Sequence, residues 1–126
     1  MNKIKKIDHF VITTANADKC FCFYDLLGFK VVKLGSHGEL YAGDFKINVH
    51  YKGFELFPHA KNIKVGSADL CFEISGNIDD FKDELECKGI EIEEGVVNRS
   101  GVNGSMRSIY LRDPDGNLIE FSSYNK

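Results

Sequence analysis

Three polar side chains interrupt segments that are otherwise typical of buried strands. His9 lies in the run IDHFVI, Asp69 in ADLCF and Glu120 in LIEF. A charged side chain turned into an apolar core costs several kcal/mol unless a partner or a metal ion compensates it. One imidazole and two carboxylates suit Zn, Ni, Mn, Co or Fe(II) in a site that keeps positions for water or substrate. The three residues are therefore candidate metal ligands, and the alternative of hydrogen-bonded polar groups in the core stays open.

Asn48 and His50 are further candidates for the same site. An alignment of the two halves of the chain, described below, places Asn48 opposite Glu120, and His50 follows two residues later. Side chains two apart on a strand share a face and lie about 7 Å from each other. Either residue could contact a substrate, and the register of the strand would decide which one does.

Two more candidate substrate contacts lie near the C-terminus. The glycine-rich segment RSGVNGS over 99–105 could surround an anion with backbone amides, and Arg99 or Arg107 would add positive charge. Tyr110 lies two residues after Ser108 on the same face of a predicted strand, where its hydroxyl could donate to a substrate oxygen. The alternatives are a flexible connector for the segment and a packed core residue for the tyrosine.

The elements that must position these residues follow the same order twice. Alternation and helical spacing predict strands over 3–14, 29–34, 40–42, 45–51, 68–75, 90–97, 105–112 and 118–123, and helices over 17–27 and 78–88. Asn16 can cap the first helix, and Gly28 and Gly89 can end the two helices. Residues 53–66 show no period and form a linker, and residues 98–104 form a loop.

The repeated order indicates an internal duplication. His9 precedes Gly28 by 19 residues and Asp69 precedes Gly89 by 20, and LGFKV in the first half corresponds to KGIEI in the second. The sequence therefore predicts an α+β fold in which two βαβββ modules, 3–52 and 67–124, form a cupped mixed sheet. The modules would make up a single domain over 1–126.

Composition excludes several classes of partner. The 126 residues are 43% hydrophobic and carry a net charge of -3 with interspersed signs, so neither nucleic acid nor an anionic membrane is an expected partner. There is no signal peptide, and no apolar window reaches the ~18 residues that span a bilayer, so we expect a soluble cytoplasmic protein. Four cysteines without the spacing of a zinc site predict reduced, mostly buried thiols.

The runs IDHFVI, FYDLLGF and SIYLRDPDGNLIE carry a family resemblance. They resemble the vicinal oxygen chelate superfamily, which includes glyoxalase I, fosfomycin- and bleomycin-resistance proteins and extradiol dioxygenases. The resemblance covers nearly the whole chain, and the ending DPDGNxxE is its most specific part. The chain is most similar to short glyoxalase-domain proteins, which are lactoylglutathione-lyase-like.

The resemblance implies a glyoxalase-type lyase or isomerase that acts on a small oxygen-chelating substrate such as a hemithioacetal. A divalent ion (Zn, Ni, Mn or Fe) would be held by His9, Asp69 and Glu120, and Glu120 would also move the proton. Most metal-binding members have His in place of Asp69, and glyoxalase I has Glu near the position of Asn48. The alternatives are a fosfomycin-type transferase with a thiol cosubstrate, an extradiol-type dioxygenase, and a non-catalytic protein that sequesters a small molecule. Small members usually pair, so a homodimer is expected.

Overall fold

The order β-α-β-β-β occurs twice along residues 2–124, the part of the chain that the computed structural model describes. The chain divides into two units, and the boundary lies between Val65 and Gly66. Unit 1 contains β1 (His9–Thr14), α1 (Ala17–Leu27), β2 (Lys30–Lys33), β3 (Gly38–Ala42) and β4 (Phe45–Tyr51). Unit 2 contains β5 (Asp69–Glu73), α2 (Ile78–Cys87), β6 (Glu94–Gly101), β7 (Gly104–Arg112) and β8 (Leu118–Ser123). No helix among these residues is long and apolar enough to cross a membrane.

The sheet of unit 1 has the strand order β1-β4-β3-β2. β1 runs parallel to β4, and the other neighbouring pairs are antiparallel. α1 begins at its cap Asn16, whose side chain accepts from the Lys19 N–H at 3.1 Å, and ends at Gly28 with φ of 105°. Its buried side chains, Phe21 and Tyr24 among them, pack on one face of the sheet, and unit 1 has no second helix within its described residues to cover the other face.

Unit 2 repeats this arrangement with the strand order β5-β8-β7-β6. Its edge strand β5 is parallel to β8, as β1 is to β4. α2 begins after Asn77, whose side chain accepts from the N–H groups of Asp79 and Asp80 at 2.7 and 3.2 Å. The Phe81 and Phe121 rings, 5.0 Å apart, join this helix to β8.

The DPDGN turn fixes the start of β8 beside the start of β5. The Asp113 carboxylate accepts from the backbone N–H of Asn117 at 2.9 Å and from its side-chain amide at 2.7 Å. The Asn117 amide oxygen in turn accepts from the backbone N–H of Ala68 at 2.9 Å. Asp113 and Asn117 are both buried. The most specific motif of the sequence therefore aligns the strands that carry Asp69 and Glu120.

The predicted α+β class with two βαβββ units is confirmed, and α1, β4 and β8 have the predicted bounds. The prediction for residues 90–104 was wrong, because β6 begins at Glu94 and continues to Gly101, so the expected loop is mostly strand. Ile90 is buried against the end of α2, where its N–H donates to the Leu85 carbonyl at 3.0 Å. Because this contact ties Ile90 to the helix, the strand begins four residues later, at Glu94.

The expectation of mostly buried thiols was also wrong, since Cys20 is buried but Cys22, Cys71 and Cys87 are exposed.

Candidate functional site

Alternation along the strands of unit 2 gives its sheet a polar face opposite the face that α2 covers. The register places Cys71 beside Glu120, Glu120 beside Tyr110 and Ser122 beside Ser108. We call this surface the unit 2 face. From β5 across to β6 it carries the side chains of Asp69, Cys71, Glu120, Ser122, Ser108, Tyr110, Glu94 and Arg99.

A buried serine pair holds the Glu120 carboxylate. The Ser122 hydroxyl donates to Glu120 Oε2 at 3.1 Å and also lies 2.6 Å from Ser108 Oγ and 3.2 Å from Cys71 Sγ. Because Ser122 has one hydroxyl proton and an ionised carboxylate can only accept, Ser108 and Cys71 must both donate to Ser122. Neither serine is exposed to solvent, so the hydrogen bond between the two serines is shielded from competing water.

Cys71 remains a thiol in this arrangement. The thiol of Cys71 is partly desolvated although the residue is exposed, and this partial burial raises its pKa. The hydrogen bond with Ser122 opposes that effect, and the nearby charge of Glu120 raises the pKa further. A thiol that keeps its proton can donate to Ser122 and is a poor nucleophile. We therefore assign Cys71 to the support of Glu120.

Arg99 and Tyr110 form a fixed cationic pair on the same face. Arg99 Nε donates to the Tyr110 hydroxyl oxygen at 2.8 Å, and the guanidinium carbon lies 5.3 Å from the centre of the tyrosine ring. Arg99 Nη2 is also 3.5 Å from Glu94 Oε2. The hydrogen bond with Tyr110 is the largest cause of the raised pKa of Arg99. The pair places the Tyr110 ring beside Glu120 and a guanidinium, partly neutralised by Glu94, on the same face two strands away.

Arg107, the predicted alternative to Arg99, points the other way. Arg107 precedes Ser108 on β7, so its side chain lies on the opposite face of the sheet, which α2 covers. Its Nη1 donates to Asp79 Oδ2 of that helix at 2.6 Å. It therefore cannot supply positive charge to the unit 2 face.

The sheet of unit 1 has a corresponding polar face, the unit 1 face. It carries the side chains of His9, Val11, Thr13, Lys46, Asn48, His50, Glu39 and Tyr41. Glu39 accepts from Lys46 Nζ at 2.7 Å and from the Tyr41 hydroxyl at 3.0 Å, and these two bonds lower the pKa of Glu39. Asn48 and His50 both lie on this face, as the strand period predicts.

Asn48 carries an unmatched acceptor. Its Oδ1 is buried, and no residue within 2–124 donates a hydrogen bond to it. A buried acceptor without a donor costs about 1–3 kcal/mol, so such groups are uncommon and need a reason. A substrate hydroxyl or amide would supply the missing donor.

His50 and His9 differ in their surroundings. His50 is 7% exposed, and burial is the first cause of its lowered pKa, with the neighbouring His37 acting in the same direction. His50 is therefore a neutral imidazole at neutral pH. His9 is exposed, and its Nδ1 lies 2.8 Å from Asp8 Oδ1, which orients the ring.

The three predicted metal ligands are divided between the units. Asp69 and Glu120 share the unit 2 face on neighbouring strands, because Asp69 lies two residues from Cys71, the register partner of Glu120. Two carboxylates on one face fit a hard divalent ion. Within the described residues of either unit alone, no three His, Cys, Asp or Glu side chains are grouped to hold a metal ion. The complete set, with His9 of unit 1, stays a prediction.

The family model of the Glyoxalase/Bleomycin resistance protein/Dioxygenase superfamily matches residues 6–121. The chain belongs to this superfamily. It is 47% identical over 122 residues to the glyoxalase domain-containing protein RDO1 of Mycosarcoma maydis, a match that covers 96% of this chain and 69% of that protein. The superfamily match confirms the resemblance found in the motifs.

Two solved structures match this fold over nearly their whole length. The virulence protein STM3117 from Salmonella typhimurium superposes with a TM-score of 0.92 at 44% identity, over 97% of this chain and 98% of that one. The integron cassette protein VCH_CASS1 from V. Cholerae gives a TM-score of 0.93 at 44% identity, over 99% of each chain.

Sequence reasoning missed the residues that support the site. Ser108 and Ser122 were not among the candidates, although Ser122 lies two positions after Glu120 and strand alternation alone places both on one face. The Glu39, Lys46 and Tyr41 cluster was missed because its members belong to two strands and meet only when the hairpin register is known.

Proposed function

We propose that this protein is a metal-dependent lyase or isomerase of glyoxalase type. Its substrate would be a small molecule with two neighbouring oxygens that can chelate an ion, such as a hemithioacetal. The observation that carries the proposal is the Glu120 carboxylate, held by buried Ser122 beside the fixed Arg99 and Tyr110 pair on a polar sheet face. Membership of the superfamily supports it.

His9, Asp69 and Glu120 would hold the divalent ion, which is Zn, Ni, Mn or Fe in this proposal. Carboxylate and imidazole donors suit these ions. When bound, the ion supplies Lewis-acid polarisation of the substrate oxygens. The ligands would come from one chain or from two paired copies.

The side chains of the chain itself would bind the substrate and move the proton. Glu120 is the general base that removes a proton from one carbon and returns it to the adjacent carbon. Ser122 keeps one carboxylate oxygen in place during both transfers. Arg99 and Tyr110 would bind an anionic or oxygen-rich part of the substrate, and Asn48 and His50 would complete its polar contacts.

The test is turnover of a hemithioacetal by the protein loaded with each ion in turn. We expect Glu120→Gln to lose at least about 100-fold in kcat, because the amide cannot accept a proton, while the circular dichroism spectrum is kept. Glu91→Gln, which removes an exposed carboxylate between α2 and β6, is the matched control. Turnover of the Glu120 variant within twofold of the parent would remove Glu120 from the base role. Ligand binding without turnover under any ion would favour sequestration.

A further inference from the structure

A groove in unit 1 is not used by the proposed reaction. It has a volume of about 660 Å³, within the range of about 300–1,000 Å³ that small-molecule sites occupy. The linker after β4 forms most of its wall, and β1 contributes Thr13. Its lining residues are Thr13, Lys52, Gly53, Glu55, Lys61, Ile63, Lys64 and Val65.

The charged side chains of this groove are mostly positive. It is lined by three lysines and one glutamate, in a chain whose net charge is -3. Lys52 and Lys61 are exposed, and neither forms an ion pair with another residue in the described range 2–124. Their ammonium groups keep hydrogen-bond donors for a ligand, since each ammonium has three.

The one carboxylate in the groove is already bound to the backbone. Glu55 Oε2 accepts from the Gly53 N–H at 3.1 Å. The backbone N–H of Glu55 also lowers the pKa of this carboxyl group, more than that of Gly53 does. Its charge is therefore partly satisfied within the turn that follows β4, and it is a weak competitor for the lysines.

Thr13 adds a neutral donor to the wall. It is 8% exposed, and its hydroxyl forms no hydrogen bond to the residues that the structure describes. A hydroxyl beside several ammonium groups is a suitable ligand for phosphate or carboxylate oxygens.

We propose that this groove binds a small polyanion that carries phosphate or carboxylate groups. Lys52, Lys61 and Lys64 supply the positive charge, and Thr13 supplies a directional hydrogen bond. A polyanion is favoured over a single anion because the groove is larger than one phosphate group and three lysines line it. The site does not depend on the proposed metal chemistry.

The test is an NMR titration of the isotope-labelled protein, at low ionic strength, with inorganic pyrophosphate and separately with citrate. We expect amide shifts confined to the groove, at Gly53, Ile63 and Val65, and an affinity that falls as salt is added. Tighter binding of pyrophosphate assigns phosphate as the natural group, and tighter binding of citrate assigns carboxylate. Absence of localised shifts with both ions would overturn the proposal.

Substitutions distinguish this site from nonspecific charge. We expect Lys61→Gln and Lys52→Gln each to weaken binding of the preferred ion about fivefold, the effect of one charge at contact distance in water. Thr13→Val should weaken it with no change in net charge. Lys19→Gln on α1, on the opposite side of the same sheet, is the control and should leave the affinity unchanged. Equal losses in the Lys19 and Lys61 variants would overturn the proposal.

Discussion

Ser122 is the centre of the hydrogen bonds that hold Glu120. It accepts from Ser108 and Cys71 and donates its one proton to the carboxylate, so each of the three neighbours constrains the position of its hydroxyl. All four side chains belong to three adjacent strands of one sheet. A general base loses efficiency when its oxygen is displaced by about 1 Å, so Ser122 is a positioning residue in the proposed reaction.

We expect Ser122→Ala to lower kcat about tenfold and to change KM less than about threefold, because it disturbs the base and leaves the substrate contacts. The free energy of unfolding should fall by about 1–3 kcal/mol, since Ser108 loses its buried partner. The control is Ser123→Ala, which removes a buried hydroxyl of the same strand that donates to the Gly76 carbonyl at 2.9 Å on the other face. Steady-state kinetics with equal losses in both variants would contradict the positioning role.

Burial of His50 predicts a pH dependence of stability. Its folded-state pKa lies below the ordinary value of 6.5, so the unfolded chain binds this proton more readily than the folded one. The free energy of unfolding should therefore decrease as the pH falls through 6.5 towards the folded-state pKa. The charged and titratable groups that act on His50 are His37, Glu55 and His59.

Denaturant unfolding at pH 7.5, 6.5 and 5.5 measures this effect. We expect His50→Gln to lose less stability than the parent over that interval, and His9→Gln, which removes an exposed imidazole, to follow the parent. A parallel pH dependence in the parent and the His50 variant would show that the burial of His50 is not the cause.

Strand alternation made most site residues predictable from the sequence. Glu120, Tyr110 and Arg99 share a face because each occupies the matching position in its own strand. Alternation in the predicted strand over 105–112 also places Arg107 on the face opposite Tyr110. Arg99 could not be assigned to a face in advance, because residues 98–104 were predicted as a loop and form part of β6. The role of Ser122 was within reach of the same reasoning, whereas its hydrogen bond to Ser108 depends on the register of β7 and β8.

At the scale of elements, the glycine at the start of β3 allows α1 to pack closely against the sheet of unit 1. Gly38 is buried at this point, and a Cβ on it would overlap the ring of Phe21. Phe21 is itself buried and packs edge-on against Tyr51, with ring centres 6.4 Å apart, so it has little room to move. The absence of a side chain at Gly38 is therefore part of the helix–sheet packing.

We expect Gly38→Ala to destabilise the protein by about 1–3 kcal/mol, the usual cost of adding a methyl group to a packed core. Gly35→Ala in the same hairpin is the control, because no atom lies within 4 Å of the added carbon. That variant should unfold like the parent or be slightly more stable. A Gly38 variant whose midpoint of thermal unfolding matches that of the Gly35 variant would contradict the packing argument.

Helices were predicted more accurately than strands. Asn16 and Asn77 are caps of a type that sequence patterns identify, and α1 begins and ends as predicted. β1 is shorter than predicted, because residues 3–8 have the alternating pattern of a strand but do not join the sheet. β6 was displaced because Ile90 is anchored to α2, a tertiary contact that a strand pattern does not show.

At the scale of the whole molecule, the duplication explains why the fold could be predicted and the complete site could not. Both units have the same strand order, with the first and last strands parallel and adjacent. Periodicity indicates which face of its own sheet a side chain occupies. It carries no information on what lies opposite that face, so the joining of His9 to Asp69 and Glu120 is a separate proposal.

The exposed edge of unit 1 supports the expectation of a homodimer. β1 is an edge strand, and the side chains of Ile4, Ile7 and Val11 on or before it are 81%, 72% and 47% exposed. We expect light scattering to give about twice the chain mass of 14.2 kDa, and a twofold interface of more than about 1,000 Å² in total. A monomer at micromolar concentration would contradict this expectation.

The affinity for a divalent ion is the measurement that tests the central claim most directly. The parent protein, His9→Gln, Asp69→Asn and Glu120→Gln would each be titrated calorimetrically with Zn, Ni and Mn, and Glu91→Gln would serve as control. We predict that the parent binds one ion per chain, that each ligand variant binds it at least about tenfold more weakly, and that the control matches the parent. Binding that is unchanged in all three ligand variants, or absent from the parent with every ion, would contradict the account.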